Sequence, residues 1–217
     1  VPCPGAEHVY LSFPNRYVQD RVPVPDHPYP GVNDALFMVS RDGVTWTRYL
    51  DAWVRPGLDP LNWTDRNNYP TWGLVQTSVT EWSLYISEHY RHPTARPRLR
   101  RLSVRPHGFV SLHADHRGGE CVTEPLSFAT SEQAGDPPAL HLNAGTSAAG
   151  SIRVEIQDED GTPLPGYTLG DADVWYGDSL DAVMTWRGER DLGDLVERPV
   201  RLRFKLTDAD IFALQVR

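Results

Sequence analysis

The sequence predicts an all-β protein. Among its 217 residues are 19 prolines, 17 glycines and seven tryptophans, a mixture that suits short strands and elaborate loops better than helices. Apolar residues recur with the period of two that is typical of strands, and no stretch has a persuasive helical stripe. With 40% hydrophobic and 23% charged residues, the composition is ordinary for a globular protein.

The predicted strands of the first half alternate with turn-forming residues. They cover residues 8–13, 35–41, 44–50, 71–79, 81–88, 98–105 and 109–114. Between the second and the third lies the segment SRDGVTW, residues Ser40–Trp46. Asp42 in this segment has the chemistry of a catalytic carboxylate, a metal ligand or a turn residue. Asx side chains bond to nearby backbone amides and Gly43 tolerates a positive φ, so we expect a hairpin corner.

Two parts of this first half repeat each other loosely. VYLSFPNRY (9–17) and LYISEHYRH (84–92) each lead through a polar loop to a predicted hairpin whose turn follows an arginine and contains a glycine. Antiparallel repeats of 40–70 residues are typical of propeller blades. The sequence therefore predicts β-propeller blades over residues 1–117.

The composition changes after residue 114, where a polar, glycine-bearing bridge begins and tryptophan becomes rarer. Further strand signals follow in the segments CVTEPLSF, ALHLNA, SIRVEIQD, VMTWRG and PVRLRFKL. The turn DEDGTPLPG (158–166) carries an Asp-Gly hairpin signal. Strands at this spacing predict an antiparallel β-sandwich over residues 118–217.

The net charge and the cysteine content indicate which classes of function are compatible with the sequence. A net charge of −8 argues against a nucleic-acid partner, which needs a basic surface. The longest apolar runs are too short to span a membrane. Cys3 and Cys121 form one disulfide or are two unrelated thiols. The sequence has no Cys/His spacing typical of zinc, and we predict neither a metal nor a cofactor.

SRDGVTW resembles the Ser-x-Asp-Gly-x-x-Trp hairpin of five-bladed propeller glycosidases, such as glycoside hydrolase families 32, 43 and 68, and a shortened sialidase Asp-box. The segments TSAAGSIRVEIQDEDGTPLPGYTLGDAD and RPVRLRFKLTDADIFALQV resemble the C-terminal region of uncharacterised bacterial proteins that are often grouped with those hydrolases. A propeller followed by a β-sandwich is the architecture of family 32. The resemblance implies a partial β-propeller of about one and a half late blades, followed by an accessory sandwich.

This resemblance implies a glycoside hydrolase that acts on an oligo- or polysaccharide and is secreted or periplasmic. The Trp-Met-Asn-Asp-Pro-Asn-Gly and Glu-Cys-Pro motifs of family 32 do not occur in the sequence, so its catalytic carboxylates are expected outside this chain. The expected partners are a carbohydrate and either a missing N-terminal part of the propeller or another copy of the chain. The alternative is a non-catalytic carbohydrate-binding or structural module.

The blade assignment brings three long loops, 14–34, 51–70 and 89–97, to one face of the propeller, where binding usually occurs. Side chains there that can contact a sugar by hydrogen bonding or stacking are Arg16, Asp34, Arg66, Asn67, Asn68, Tyr69, Trp72 and His89.

Two of these predictions have alternatives. Asn-Asn before Tyr-Pro at 67–70 is equally typical of a turn. Glu88, at the end of a predicted strand, is the candidate catalytic residue as a general acid with a raised pKa. Its alternative is a salt-bridged carboxylate at the rim of the site. Asn62-Trp63-Thr64 also fits a glycosylation sequon.

Overall fold

The computed structural model describes residues 1–21, 31–128 and 137–217. The predicted all-β class is confirmed, since 52% of the residues lie in strands and the described ranges contain no α-helix. The sheets are antiparallel, and one of them curls into a half-barrel. No helix in these ranges is long and apolar enough to cross a membrane. The chain forms two compact units, Val1–Arg105 and Pro106–Arg217.

The first unit contains two sheets. Its eight strands are β1 (Pro2–Cys3), β2 (Ala6–Ser12), β3 (Asn15–Val18), β4 (Val32–Ser40), β5 (Thr47–Val54), β6 (Val75–Ser78), β7 (Glu81–Glu88) and β8 (Arg98–Val104). In the larger sheet, β2 and β3 follow each other along one edge of β4, β5 pairs with the other edge, and β1 pairs with β2. Strands β6, β7 and β8 form a separate three-stranded meander.

Aromatic packing and central strands stabilise the first unit. Phe37 on β4 is buried, and its ring centroid lies 5.7 Å from that of Phe13 and 5.5 Å from that of Tyr49. On β7, Leu84 and Ile86 are almost fully buried. Because β7 is paired on both edges, its backbone amides are satisfied by neighbouring strands. The end of β7 therefore holds the polar residues that follow it in a defined position.

The hairpin at Ser40–Trp46 has the predicted corner. Asp42 Oδ1 accepts hydrogen bonds from the backbone amides of Val44 (2.8 Å) and Thr45 (2.6 Å), and Gly43 has a φ of 73°. Hydrogen bonds, of which that from the Thr45 amide has the largest effect, hold the pKa of Asp42 well below its usual range. The Asp42 carboxylate thus stabilises its own turn by hydrogen bonding to the backbone.

The second unit is one five-stranded sheet. Its strands are β9 (Leu112–Ala114), β10 (Gly119–Val122), β11 (Leu140–Asp158), β12 (Asp178–Val183) and β13 (Val200–Val216). β11 and β13 pair along most of their length, β12 pairs with β11, and β9 and β10 pair with β13. Alternate residues of the two long strands are buried, as Ile152, Val154, Leu202 and Phe204 illustrate.

Several predicted strand limits are wrong. Residues 109–114 were expected to follow β8 as the outer strand of a second blade, but β9 pairs with β13. ALHLNA and SIRVEIQD belong to a single strand, β11, whose register shifts between Thr146 and Ser151. The periodicity of apolar residues in a sequence indicates which residues lie on the same face of a strand. Which distant strand pairs with it depends on the whole fold.

The two cysteines are not joined by a disulfide. They belong to different units, Cys3 on β1 and Cys121 on β10. Burial, followed by the nearby Glu7 carboxylate, raises the pKa of the Cys3 thiol to about 11. This thiol is therefore protonated and a weak nucleophile near neutral pH.

Candidate functional site

Buried polar side chains gather where the segment 55–70 meets the end of β7. A short 3₁₀-helix, Pro60–Trp63, begins in this segment after Asp59, whose side chain accepts a hydrogen bond from the Leu61 amide at 3.0 Å. Proline at the first helical position lacks only an amide that would have no partner within the helix. The helix fixes the direction of Asn62, the residue at the centre of this cluster.

Asn62 joins the segment to β7. Its Nδ2 donates to Glu88 Oε1 at 3.2 Å and to the Pro56 carbonyl at 3.0 Å, and its Oδ1 accepts from the His89 backbone amide at 3.0 Å. The side chain is only 4% exposed. A glycan on this buried and bonded amide nitrogen would be incompatible with the folded position of Asn62, so the structure does not favour the sequon interpretation.

Glu88 is held by arginines from the neighbouring strand. Its carboxylate, 1% exposed, accepts from Arg98 Nε at 2.8 Å and from Arg100 Nη1 at 3.1 Å. Burial alone would raise the pKa of Glu88, but the hydrogen bonds from Arg98, Arg100 and Asn62 outweigh it, and the pKa is lowered. The expected raised pKa is wrong, and the geometry matches the salt-bridged alternative instead of a general acid.

His89 and Asp59 extend this network. His89 has a φ of 58°, its Nε2 lies 2.9 Å from Asp59 Oδ2, and its Nδ1 lies 3.2 Å from the Arg96 carbonyl. The hydrogen bond with His89 is the main cause that lowers the pKa of Asp59, followed by that from the Leu61 amide. The predicted sugar ligand His89 is thus buried and bonded at both ring nitrogens.

The ligand atoms of Asp59, Glu88 and His89 lie within 4.8 Å of one another, close enough to hold a metal ion. Arg98 joins the two carboxylates of this group, because its Nε contacts Glu88 and its Nη2 contacts Asp59 at 2.9 Å. A guanidinium therefore already supplies the positive charge that a metal would bring. These three residues favour a structural ion-pair network over a metal centre.

The predicted sugar contacts 66–69 lie beside this network, because the Tyr69 carbonyl accepts from the Ser87 amide of β7 at 2.8 Å. Asn33 on β4 holds these residues from the other side. Its backbone amide donates to Asn67 Oδ1 at 2.8 Å, and its Nδ2 donates to the Tyr69 hydroxyl at 3.0 Å. Tyr69 therefore bonds to both sheets of the first unit, whereas Asn67 bonds to β4, 34 positions away, and not to nearby backbone as the turn alternative expects.

Tyrosine rings and a second ion pair complete this side of the cluster. The rings of Tyr69 and Tyr90 meet edge to face with centroids 4.8 Å apart, and the guanidinium of Arg91 lies 5.0 Å from the Tyr90 centroid. Arg91 Nε also lies 3.6 Å from the buried Asp65 carboxylate. Burial, followed by the charge of Tyr90, raises the pKa of Tyr69. The Tyr69 hydroxyl thus remains protonated and available as a donor.

Asn68 differs from its neighbours. The residue is 4% exposed, and neither Oδ1 nor Nδ2 has a hydrogen-bond partner among the described residues. A buried amide without partners costs free energy of about 1–3 kcal/mol per group, so natural proteins usually satisfy it with water or ligand. Asn68 offers one donor and one acceptor group side by side, as recognition of a diol requires.

Arg66 is half-buried with its Nε shielded from solvent, whereas Trp72 in the same segment faces outward. Arg66, with a φ of 61°, places its guanidinium 5.9 Å from the centroid of the Trp63 ring. Trp72 is 92% exposed and lies at the border of a pocket of about 220 Å³. This pocket is also lined by Val1, Leu11, Ser12, Phe13, Pro14, Pro70, Thr71 and Gly73. Of the predicted sugar contacts, Trp72 is the one that borders it.

Arg16 and Asp34 face each other across β3 and β4, where Arg16 Nη2 donates to Asp34 Oδ2 at 2.7 Å. Arg21 donates to the same oxygen. These contacts indicate a cross-strand ion pair, and Asp34 neighbours Asn33, which holds Asn67. Most of the predicted residues are bonded to other residues of the protein, and Arg16 and Asp34 are bonded to each other.

Sequence reasoning did not assign Arg98 and Arg100 to the site, and it considered Asn62 as a sequon and not as a partner of Glu88. The alternation of Arg98 and Arg100 on β8, in register with Glu88 and Ile86 of β7, was the available signal. Its use depends on knowing that the two strands pair. The chain matches no protein-family model, no curated protein and no solved structure.

Proposed function

We propose that this chain binds carbohydrate through its first unit. The observation that carries the proposal is the exposed Trp72 indole beside the surface pocket. A fully buried tryptophan stabilises a core. A solvent-exposed indole beside a surface pocket instead presents a flat face on which a sugar ring can stack. Ser12 and Thr71 in the pocket wall supply hydroxyl groups for hydrogen bonds.

The carbohydrate-binding reading is favoured over hydrolysis by this chain alone. Hydrolysis of a glycosidic bond needs one carboxylic acid that is protonated near neutral pH and a second that is ionised. Asp59 and Glu88 are close together, but both have lowered pKa values and Arg98 joins them. A role within a secreted or periplasmic glycoside hydrolase would require the catalytic carboxylates from elsewhere.

The finer architecture is part of the same proposal. We infer that the two sheets of the first unit correspond to propeller blades and that the second unit is the accessory sandwich. Support comes from the order of β6, β7 and β8, which are adjacent in sequence and in space, as in a blade. The pairing of β9 with β13 instead of β8 does not support a complete second blade.

A glycan array followed by isothermal titration calorimetry tests the proposal. Wild-type protein is expected to bind at least one oligosaccharide, and Trp72→Ala to weaken that binding about tenfold through loss of stacking. Tyr176→Ala, which removes an exposed aromatic residue of the second unit, serves as the matched control. Equal binding by wild type and Trp72→Ala would contradict the proposed site.

The Glu88→Gln variant tests whether Glu88 is a catalytic residue or a salt-bridged carboxylate. If any hydrolytic activity accompanies the purified chain, we expect this variant to retain it, because Glu88 is bound by Arg98 and Arg100. Complete loss of activity with unchanged glycan affinity and unchanged folding would instead identify Glu88 as catalytic.

A further inference from the structure

Charge is distributed unevenly along the sequence. Residues 1–105 contain 12 arginines and ten acidic residues and therefore have a formal charge of +2. Because the formal charge of the whole chain is −8, residues 106–217 have a formal charge of −10. Within the first unit, residues 91–105 contain six arginines and no acidic residue. The overall charge therefore conceals a local basic segment, and three of its six arginines lie on β8.

Strand β8 presents these arginines to solvent. It is an edge strand of its meander, so the side chains on both of its faces lie along this edge of the sheet. Arg98 and Arg100 are each 54% exposed at their side chains, and Arg101 on the opposite face is 50% exposed. Leu99 between them is exposed as well. We refer to Arg96 and the strand β8 together as the arginine edge.

The carboxylates next to the arginine edge occupy only part of its hydrogen-bonding capacity. Glu88 is shared between Arg98 and Arg100, and Arg101 donates to Glu81 through Nη1. A guanidinium has five N–H donors, so each of these arginines retains donors for another anion. Guanidinium donors form a planar fork that fits the oxygens of a carboxylate or a sulfate.

An aromatic residue lies among these charges. Tyr85 on β7 is the cross-strand partner of Arg101 and is partly exposed, so the two side chains lie next to each other on one face of the sheet. A cationic donor beside an aromatic face matches a sugar that carries an anionic group. Charged residues on an edge strand also discourage aggregation, but that role requires neither arginine in particular nor an adjacent tyrosine.

We propose that the arginine edge binds an anionic polysaccharide, one whose sugars carry carboxylate or sulfate groups. This inference rests on the proposed carbohydrate-binding function and adds its ligand class. A polysaccharide is chosen because the proposed function of the same unit, which rests on Trp72, is carbohydrate binding, and a nucleic acid carries anionic groups as well. Nucleic acid is therefore treated as an outcome of the test.

Binding is measured by calorimetry with four polymers, namely polygalacturonate, dextran sulfate, neutral dextran and single-stranded oligothymidine. We expect wild type to bind polygalacturonate or dextran sulfate about tenfold more tightly than the other two, with an affinity that falls as salt rises. The arm with higher affinity identifies the anionic group. Arg96→Gln/Arg101→Gln, which leaves the partners of Glu88 in place, is expected to lower this affinity roughly threefold to tenfold.

Arg153→Gln, at an exposed arginine of β11, is the matched control and is expected to retain wild-type affinity. Circular dichroism establishes that each variant is folded, and the salt dependence of wild type tests the same idea without substitution. Preference for oligothymidine, or equal loss in both variants, would overturn the inference. Glycan binding that depends on Trp72 but not on Arg96 and Arg101 would overturn it and leave the proposed function standing, whereas absence of any glycan binding would contradict both.

Discussion

The side-chain amide of Asn62 donates a hydrogen bond to the buried carboxylate of Glu88, 26 positions further along the chain. The same side chain accepts from the backbone amide of His89. One asparagine therefore orients the segment 55–70 against the end of β7. Because the predicted sugar contacts from Arg66 to Trp72 follow directly, the position of the candidate site depends on this contact.

Asn62→Ala should destabilise the first unit by about 1–3 kcal/mol, because Glu88 and the His89 amide then lose a buried partner. Asn15→Ala, which shortens an exposed asparagine on β3, is the matched control and should change the free energy of unfolding by less than about 0.5 kcal/mol. Equilibrium unfolding in urea measures both. Equal effects of the two substitutions would show that the Asn62 network contributes little.

The sequence allowed the all-β fold class to be predicted, whereas the predicted sugar-binding face stays a prediction. Strand periodicity is local, so the segments that became β2, β4, β7 and β8 were recognisable. Of the three long loops predicted to share one face, 51–70 and 89–97 are joined by the contact of His89 with Asp59, whereas Asn33, which contacts Asn67 and Tyr69, lies on β4. Polar residues that lie in long loops are often brought together by the strands that carry them.

The roles of these residues were less predictable. Whether Glu88 is a free acid or a bound carboxylate depends on Arg98 and Arg100, which become its neighbours only through the β7–β8 register. The pairing of β9 with β13 joins residues almost 100 positions apart. Local patterns carry no information about such pairing, and a pKa depends on partners that local patterns do not identify.

Asn68→Leu is expected to leave the first unit as stable as wild type or to stabilise it by about 1 kcal/mol. The reason is that a buried amide without described partners is replaced by an apolar group of similar size. Asn67→Leu, at a neighbour that accepts from Asn33, provides the contrast and should be destabilising. Thermal unfolding compares the two. A clear loss of stability in Asn68→Leu would indicate that water or another group satisfies this amide.

If Asn68 takes part in glycan binding, the same variant gives a second result. Asn68→Leu should then bind sugar more weakly than wild type without a lower melting temperature. Loss of affinity together with loss of stability would indicate a general disturbance of the segment. Unchanged affinity would assign Asn68 to the interior of the protein alone.

The pH dependence of stability provides a test of the Glu88 ion pairs. The folded-state pKa of Glu88 lies below its ordinary value of 4.5, so the ionised carboxylate is favoured by folding. Its stabilising contribution is therefore fully present above the unfolded-state pKa and is lost as the pH falls through the lowered folded-state value. The unfolding free energy of wild type should accordingly decrease in acid.

Glu88→Gln removes the titrating group and keeps its size. The variant should be less stable than wild type near pH 7, because Arg98 and Arg100 lose an anionic partner, and the difference should shrink as the pH is lowered to about 3. Glu81→Gln, at a more exposed carboxylate with one arginine partner, is the control and should show a smaller difference. Urea unfolding across this pH range measures all three proteins. A constant gap between wild type and Glu88→Gln would mean that Glu88 does not titrate differently in the folded state, contrary to the contacts with Arg98 and Arg100.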